Sequence, residues 1–371
     1  MKAFECSCGQ PLFFHNTRCL ACGRDVAYDP DSGRLGPVIP AADGTLTMDQ
    51  DRRVPPAQVR FCEHRVLAAK CNWLVPASDI ATGCVSCRVT RIIPDLARPK
   101  NLQRVAELET AKRRVLAGVM AFGLPIVPRS DDPAGGLAFD FLEPLEGGPP
   151  IMTGHADGLI TLNVAEADSD FREMHRESLK EPYRTLIGHI RHELGHYYWD
   201  RLIEGTDWLP KFRGLFGDER ADYPSSLQHH YQYGGIPDWP NRFISAYASS
   251  HPWEDWAESF AHYMHLRATL LTVGSYDLDI SHVRLPLTPY QSDVLYDPES
   301  VEEGNAFLGW INAWLVLTAV LNETSRSMGQ PDLYPFVMNR AVVTKLHFVQ
   351  CVIGGWDRRP IPAPPAALAV L

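Results

Sequence analysis

Eight of the nine cysteines in this 371-residue chain fall in two groups of four before residue 88. Cys6-x-Cys8 and Cys19-x-x-Cys22 make two knuckles at short range. Cys62, Cys71 and the Cys84-x-x-Cys87 knuckle make the second group, with His64 as an alternative to Cys62. Met1 leads straight to Cys6 and Cys8 with no apolar run between, so the expectation is a cytoplasmic chain without a secretory leader. Thiols stay reduced there, and clustered cysteines hold metal rather than disulfides. Each quartet suits one tetrahedral zinc bound by four thiolates. The rest of residues 1–97 is loop-rich and poor in long apolar elements, so this region needs its metal to fold. Cys351, alone in a C-terminal apolar run, reads as a small buried hydrophobe.

The second constraint is His192-Glu193-Leu194-Gly195-His196. On a helix, side chains four apart stack on one face, so both imidazoles reach one metal ion. Glu193 then projects beside that ion, where it can serve as a general base toward bound water. The surroundings predict the helix. Glu181-Pro182 suits a start, Tyr183 to Leu202 holds no further proline, and Leu186, Ile187, Ile190 and Leu194 recur at helical spacing. A catalytic zinc needs a third protein ligand. Trp199 and Leu202 stand where the extended metzincin motif has Gly and His, which excludes that class. The ligand must come from a second helix.

The segment from His251 to His262 predicts it, opening on Pro252 and running to about Leu271. Glu254, Glu258 and His262 fall at i, i+4 and i+8, three candidate ligands on one polar stripe. Small Ala257 and Ala261 admit close helix contact, which argues against a merely solvated acidic face. His189, one turn before His192, would displace the motif's geometry. His229 and His230 fall in a Tyr/Gly/Pro-rich stretch from Asp222 to Pro240, read as a loop whose histidines line a cleft or serve structure.

The run Glu254-x-x-Ala257-Glu258-x-Phe260-Ala261 resembles the second zinc helix of gluzincin metallopeptidases. The resemblance implies that Glu254 is the ligand and that Glu258 orients a histidine or the metal site by hydrogen bonding. The pattern is also similar to the catalytic domain of anthrax lethal factor, where a tyrosine precedes the ligand glutamate by the spacing of Tyr247 to Glu254. That likeness nominates Tyr247 as a donor to the oxyanion of the tetrahedral intermediate. More broadly the chain resembles a bacterial family of zinc-binding metallopeptidases with an N-terminal zinc-ribbon region. The likeness rests on Cys71-Asn72-Trp73-Leu74-Val75-Pro76, Cys84-x-x-Cys87, Arg91-Ile92-Ile93-Pro94-Asp95-Leu96 and Trp253-Glu254-Asp255-Trp256. It implies an α+β fold: a zincin-like domain of small sheet, active-site helix and helical lower subdomain, behind loop-rich ribbon modules.

These readings divide the chain into a zinc-ribbon region (1–97), a metallopeptidase domain (98–357) and a Pro/Ala-rich tail from Arg358. A helix is expected over 98–123, with Leu102, Val105, Leu108, Val115 and Met120 on its apolar side. Strand signals follow at Gly136–Leu142 and Gly158–Val164, and the strand from Leu159 is expected at the sheet edge, where a peptide substrate would add. Long helices are expected over Asn305–Ser327 and Leu333–Ile353. The apolar run Phe307–Leu321 is read as too short, and too interrupted by Asn312, to span a bilayer.

The leading functional expectation is a zinc-dependent endopeptidase with three zinc ions, two in the quartets and one on His192, His196 and Glu254. Its partner is a protein or peptide substrate. The competing class is a nucleic-acid-binding zinc protein carrying an inactive protease-like domain, since Arg88 to Arg114 holds eight basic residues against three acidic ones. A net charge of −10 disfavours broad phosphate binding. In a third reading the ribbon modules dock a protein substrate or cover the cleft. Nothing in the sequence sets the oligomeric state.

Overall fold

The computed structural model describes residues 3–49, 55–145, 147–178, 181–296 and 301–357. The tail from Arg358 lies outside them. The chain divides into two compact units, residues 2–175 and 176–371, with the division inside a helix. Residues 98–175 thus cluster in space with the cysteine-bearing region.

In the first unit, β1 (Phe4–Glu5) and β2 (Pro11–Leu12) form a short antiparallel ribbon beneath the first knuckle. Then β3 (Val26–Asp29), β4 (Arg34–Pro40), β5 (Leu46–Met48), β6 (Val59–Phe61) and β7 (Leu74–Pro76) pair antiparallel in chain order. Ala27, Val38, Met48, Val59 and Leu74 make its small core. Phe14, Tyr28 and Trp73 are also buried, with the Tyr28 ring in contact with each of the other two.

The short helix α1 (Val85–Arg88) carries Cys87, and β8 (Thr90–Ile92) leads to the long helix α2 (Asn101–Ala121). Val105, Leu108 and Val115 are buried as expected, but Leu102 stands out in solvent, 53% exposed. The polar side of α2 is also partly buried. Lys112 lies within 2.8 Å of Glu109, and Arg113 pairs with the same carboxylate. Next come β9 (Ala138–Leu142), β10 (Gly154–Ala156), β11 (Leu159–Asn163) and α3 (Ser169–Ser178). The sheet order is β10-β11-β9-β8, with β11 parallel to β9 and antiparallel to β10. The expected edge strand is therefore interior. Asp157 and Gly158 both take positive φ, making the tight turn that folds β10 over the edge of β11. A Cβ at Gly158 would sit 2.5 Å from the Gly136 carbonyl oxygen.

The second unit is helical: α4 (Leu186–Leu202), α5 (Trp208–Phe216), α6 (Tyr223–Tyr233), α7 (Trp239–Arg242), α8 (Pro252–Ser275), α9 (Val301–Ser327) and α10 (Arg340–Asp357). Four readings need correction. Helix α4 starts at Thr185, whose hydroxyl accepts the Gly188 N–H at 3.0 Å, and not at Glu181-Pro182. The stretch 222–240 is no loop, because Asp222 caps α6 by accepting the Ser225 N–H at 2.9 Å. Helix α10 begins seven residues late because Pro335 interrupts the run, and Asn339 caps it instead. Helix α9 is longer than its apolar stretch and has the length and composition to cross a bilayer. Here it is a core helix, with Trp310, Ile311, Trp314 and Leu317 buried. Its Asn312 amide is bonded both ways to the Tyr290 backbone.

Helices α4 and α8 cross in close contact, and Gly195 is the reason they can. A Cβ there would fall 2.8 Å from the Cα of Ala257. The Trp256 indole N–H donates to the Gly195 carbonyl at 2.8 Å and fixes the crossing.

Candidate metal centre

The crossing brings three donors together. His192 and His196 project from α4 with ring centroids 5.0 Å apart, and Glu254 comes from the first turn of α8. Glu254 Oε2 lies 2.9 Å from His192 Nε2 and 3.5 Å from His196 Nε2. The 2.9 Å approach lacks hydrogen-bond geometry, so Oε2 is buried without a hydrogen-bond partner. A native protein rarely leaves a carboxylate oxygen so. Tetrahedral ligands about 2.1 Å from one ion sit about 3.4 Å apart, near these separations. The donors fit a zinc ion.

The polar stripe on α8 splits three ways. Glu254 faces the two histidines. Glu258 Oε1 meets His192 Nδ1 at 2.9 Å, and its Oε2 accepts the Ser245 hydroxyl at 2.7 Å. Ser245 Oγ in turn accepts the Ala248 N–H at 3.0 Å. His262 turns elsewhere, its Nδ1 sharing a 2.6 Å hydrogen bond with the Tyr334 hydroxyl. Burial alone would lower His192, but the carboxylates of Glu254 and Glu258 outweigh it and hold the imidazole well above its ordinary range. Burial would raise Glu254, yet His196 and His192 keep it well below the usual carboxylate range. Glu193, 8% exposed, is raised by burial against the pull of the same two histidines.

Tyr247 opens a 3-10 turn (Tyr247–Ser249), its ring centroid 5.8 Å from His192 and 5.5 Å from His230. His189 does not join the donor cluster. His229 and His230 ride on α6 and line a cleft of about 320 Å³ with Asp222, Ser225 and Ser250.

Sequence reasoning missed Tyr223. Its hydroxyl donates to Glu254 Oε1 at 2.6 Å, and burial pushes the phenol well above its ordinary range. The available signal was Asp222 followed by Pro224 and Ser225, a helix N-terminus hidden by loop-like composition.

In the first unit both cysteine quartets assemble. Cys6 and Cys22 are 3.6 Å apart, Cys8 and Cys19 3.7 Å, and Cys71 and Cys84 3.6 Å. A zinc ion 2.3 Å from four sulfurs sets them about 3.8 Å apart, so these sets fit it closely. Cys62 itself completes the second quartet, with its sulfur accepting the Cys84 N–H at 3.3 Å. His64 Nδ1 stays outside, 3.7 Å from that sulfur. Cys351 is only half-buried and lies 3.8 Å from His347 Nε2.

Residues 101–352 match the model of the family described as "Putative zinc-binding metallo-peptidase", and residues 3–98 match a zinc-ribbon domain. An uncharacterized protein of Mycobacterium bovis is 40% identical over 355 residues, covering 95% of each chain. Two uncharacterized proteins of Mycobacterium tuberculosis strains are similar to the same extent. No solved structure matches the chain.

Proposed function

The chain belongs to the zinc-binding metallopeptidase family, and on that premise we propose that it is a zinc-dependent endopeptidase with a zincin-like, gluzincin-type site. The observation that supports this best is the convergence of His192 Nε2, His196 Nε2 and the orphaned Glu254 Oε2, with Glu193 buried on the same helix. A zinc ion held by these three residues supplies Lewis acidity, polarising a scissile carbonyl and lowering the pKa of water. Glu193 takes the proton from the attacking water and passes it to the leaving amine. Glu258 bonds His192 Nδ1 and so turns Nε2 toward the centre. Tyr247 donates to the oxygen that gains charge.

Two more zinc ions in the cysteine quartets give three per chain, and such thiolates suit a reducing cytoplasm. The substrate is a protein or peptide. The nucleic-acid reading is favoured less, because most of the basic run is engaged in local ion pairs. Arg88 pairs with Asp79, Arg91 with Asp140, Arg98 with Glu143, Arg104 with Asp168, and Lys112 and Arg113 with Glu109.

Metal analysis and substrate trapping test the proposal together. Purified protein should carry three zinc ions. Glu193→Gln should keep all three, lose turnover by about 10²–10⁴-fold, and retain bound peptide for identification by mass spectrometry. A full-length chain holding two zinc ions, or a Glu193→Gln variant that still cleaves at the parent rate, would sink it.

A further inference from the structure

We infer that Tyr223 is a positioning residue of the metal centre: its phenol holds one oxygen of Glu254, so that the other alone faces the two histidines. The inference rests on the metal reading just given. A carboxylate can turn about its last bond and offer a metal either oxygen or both. The hydroxyl of Tyr223 donates to Oε1 at 2.6 Å, while Oε2 points at His192 Nε2 and His196 Nε2 with no hydrogen-bond partner. With Oε1 engaged, Glu254 would offer a metal one oxygen only, which would leave room for a fourth ligand.

What aims Tyr223 is His251. This buried imidazole caps α8, its Nδ1 accepting the Trp253 N–H at 3.1 Å. The proton therefore sits on Nε2, which donates to the Ala221 carbonyl at 3.1 Å. The Tyr223 ring stands edge-on to His251 at 5.1 Å and to Trp253 at 6.0 Å. One residue thus caps the helix that carries Glu254 and fixes the backbone from which Tyr223 reaches it. Helix α6 fully buries none of its own residues, and the Tyr223 phenol is its direct hydrogen bond to Glu254.

The test uses the full-length protein and reads metal, not turnover. Zinc competition against a chromophoric chelator is measured for the parent, Tyr223→Phe and Tyr233→Phe, with His192→Ala marking the signal that belongs to this centre. Tyr223→Phe keeps the ring and loses only the hydroxyl. It should weaken that zinc by about 10–100-fold and shift the visible bands of cobalt bound there, as Glu254 becomes free to bind through two oxygens. Tyr233→Phe, 69% exposed at the end of α6, should change neither reading. A Tyr223→Phe variant within twofold of the parent, with the same cobalt spectrum, overturns the inference. So does one whose melting point at saturating zinc falls along with its affinity, since the phenol would then only anchor α6. If His192→Ala holds as much zinc as the parent, the metal reading fails, and this inference with it.

Discussion

At the scale of single residues, the two glutamates on α8 should separate cleanly. Glu254→Ala removes the one donor from outside α4 and should cost the zinc of this centre, leaving two ions per chain by metal analysis. Glu258→Ala leaves all three donors but frees His192 Nδ1, so zinc should stay and bind about 10–100-fold more weakly. Tyr247→Phe should bind zinc normally and turn over about 10²–10³-fold more slowly on whatever peptide the Glu193→Gln variant traps. Unchanged turnover would make Tyr247 structural. Helical spacing put His192 and His196 on one face and offered Glu254, Glu258 and His262 as candidates on another, while the separate roles expected of Glu254 and Glu258 came from the gluzincin resemblance. Tyr223 was not legible in the sequence. It lies 31 positions before Glu254 and reaches it only through the tertiary approach of α6, which no periodicity records.

At the scale of elements, the α4–α8 crossing carries the centre, and Gly195 sets its distance. Gly195→Ala forces a Cβ to within 2.8 Å of the Ala257 backbone. It should destabilise the helical unit by about 1–3 kcal/mol in chemical denaturation. His262, further along α8, should add a pH dependence. Burial lowers its pKa to about 4, so the folded chain refuses a proton that the unfolded chain accepts below about 6.5. Its contribution is intact above pH 6.5 and fades as pH falls toward 4, by about 3 kcal/mol in all. His262→Gln should flatten the fall of the denaturation midpoint between those pH values; an equally steep fall would assign the loss to other groups. Elements with strong periodicity, α4 and α8, were legible to within a few residues. Helix α6 escaped because its Tyr, His and Ser side chains are mostly exposed and leave no apolar stripe. The place of β11 escaped because the polar side chains on one of its faces look like those of an edge strand, while its pairing is set by β9 and β10.

At the scale of the whole molecule, the first unit should depend on metal far more than the second. A structural zinc contributes about 10–16 kcal/mol, as much as the entire stability of a typical domain. Cys19→Ser should therefore open the N-terminal region to limited proteolysis, while fragments from residue 176 onward survive and keep the His192 zinc. Survival of an intact N-terminal region would show that its small core suffices. The quartets also close over short stretches of chain, Cys6 to Cys22 and Cys62 to Cys87, and both are complete before His192 has been synthesised. A nascent chain thus finishes two all-sulfur sites while its third is still unmade, and soft thiolates outcompete an imidazole–carboxylate set for a scarce ion. On the proposed reading, a cell short of metal would fill the ribbons first and the centre on α4 and α8 last, so the occupancy of that centre would follow the zinc supply while the fold persists.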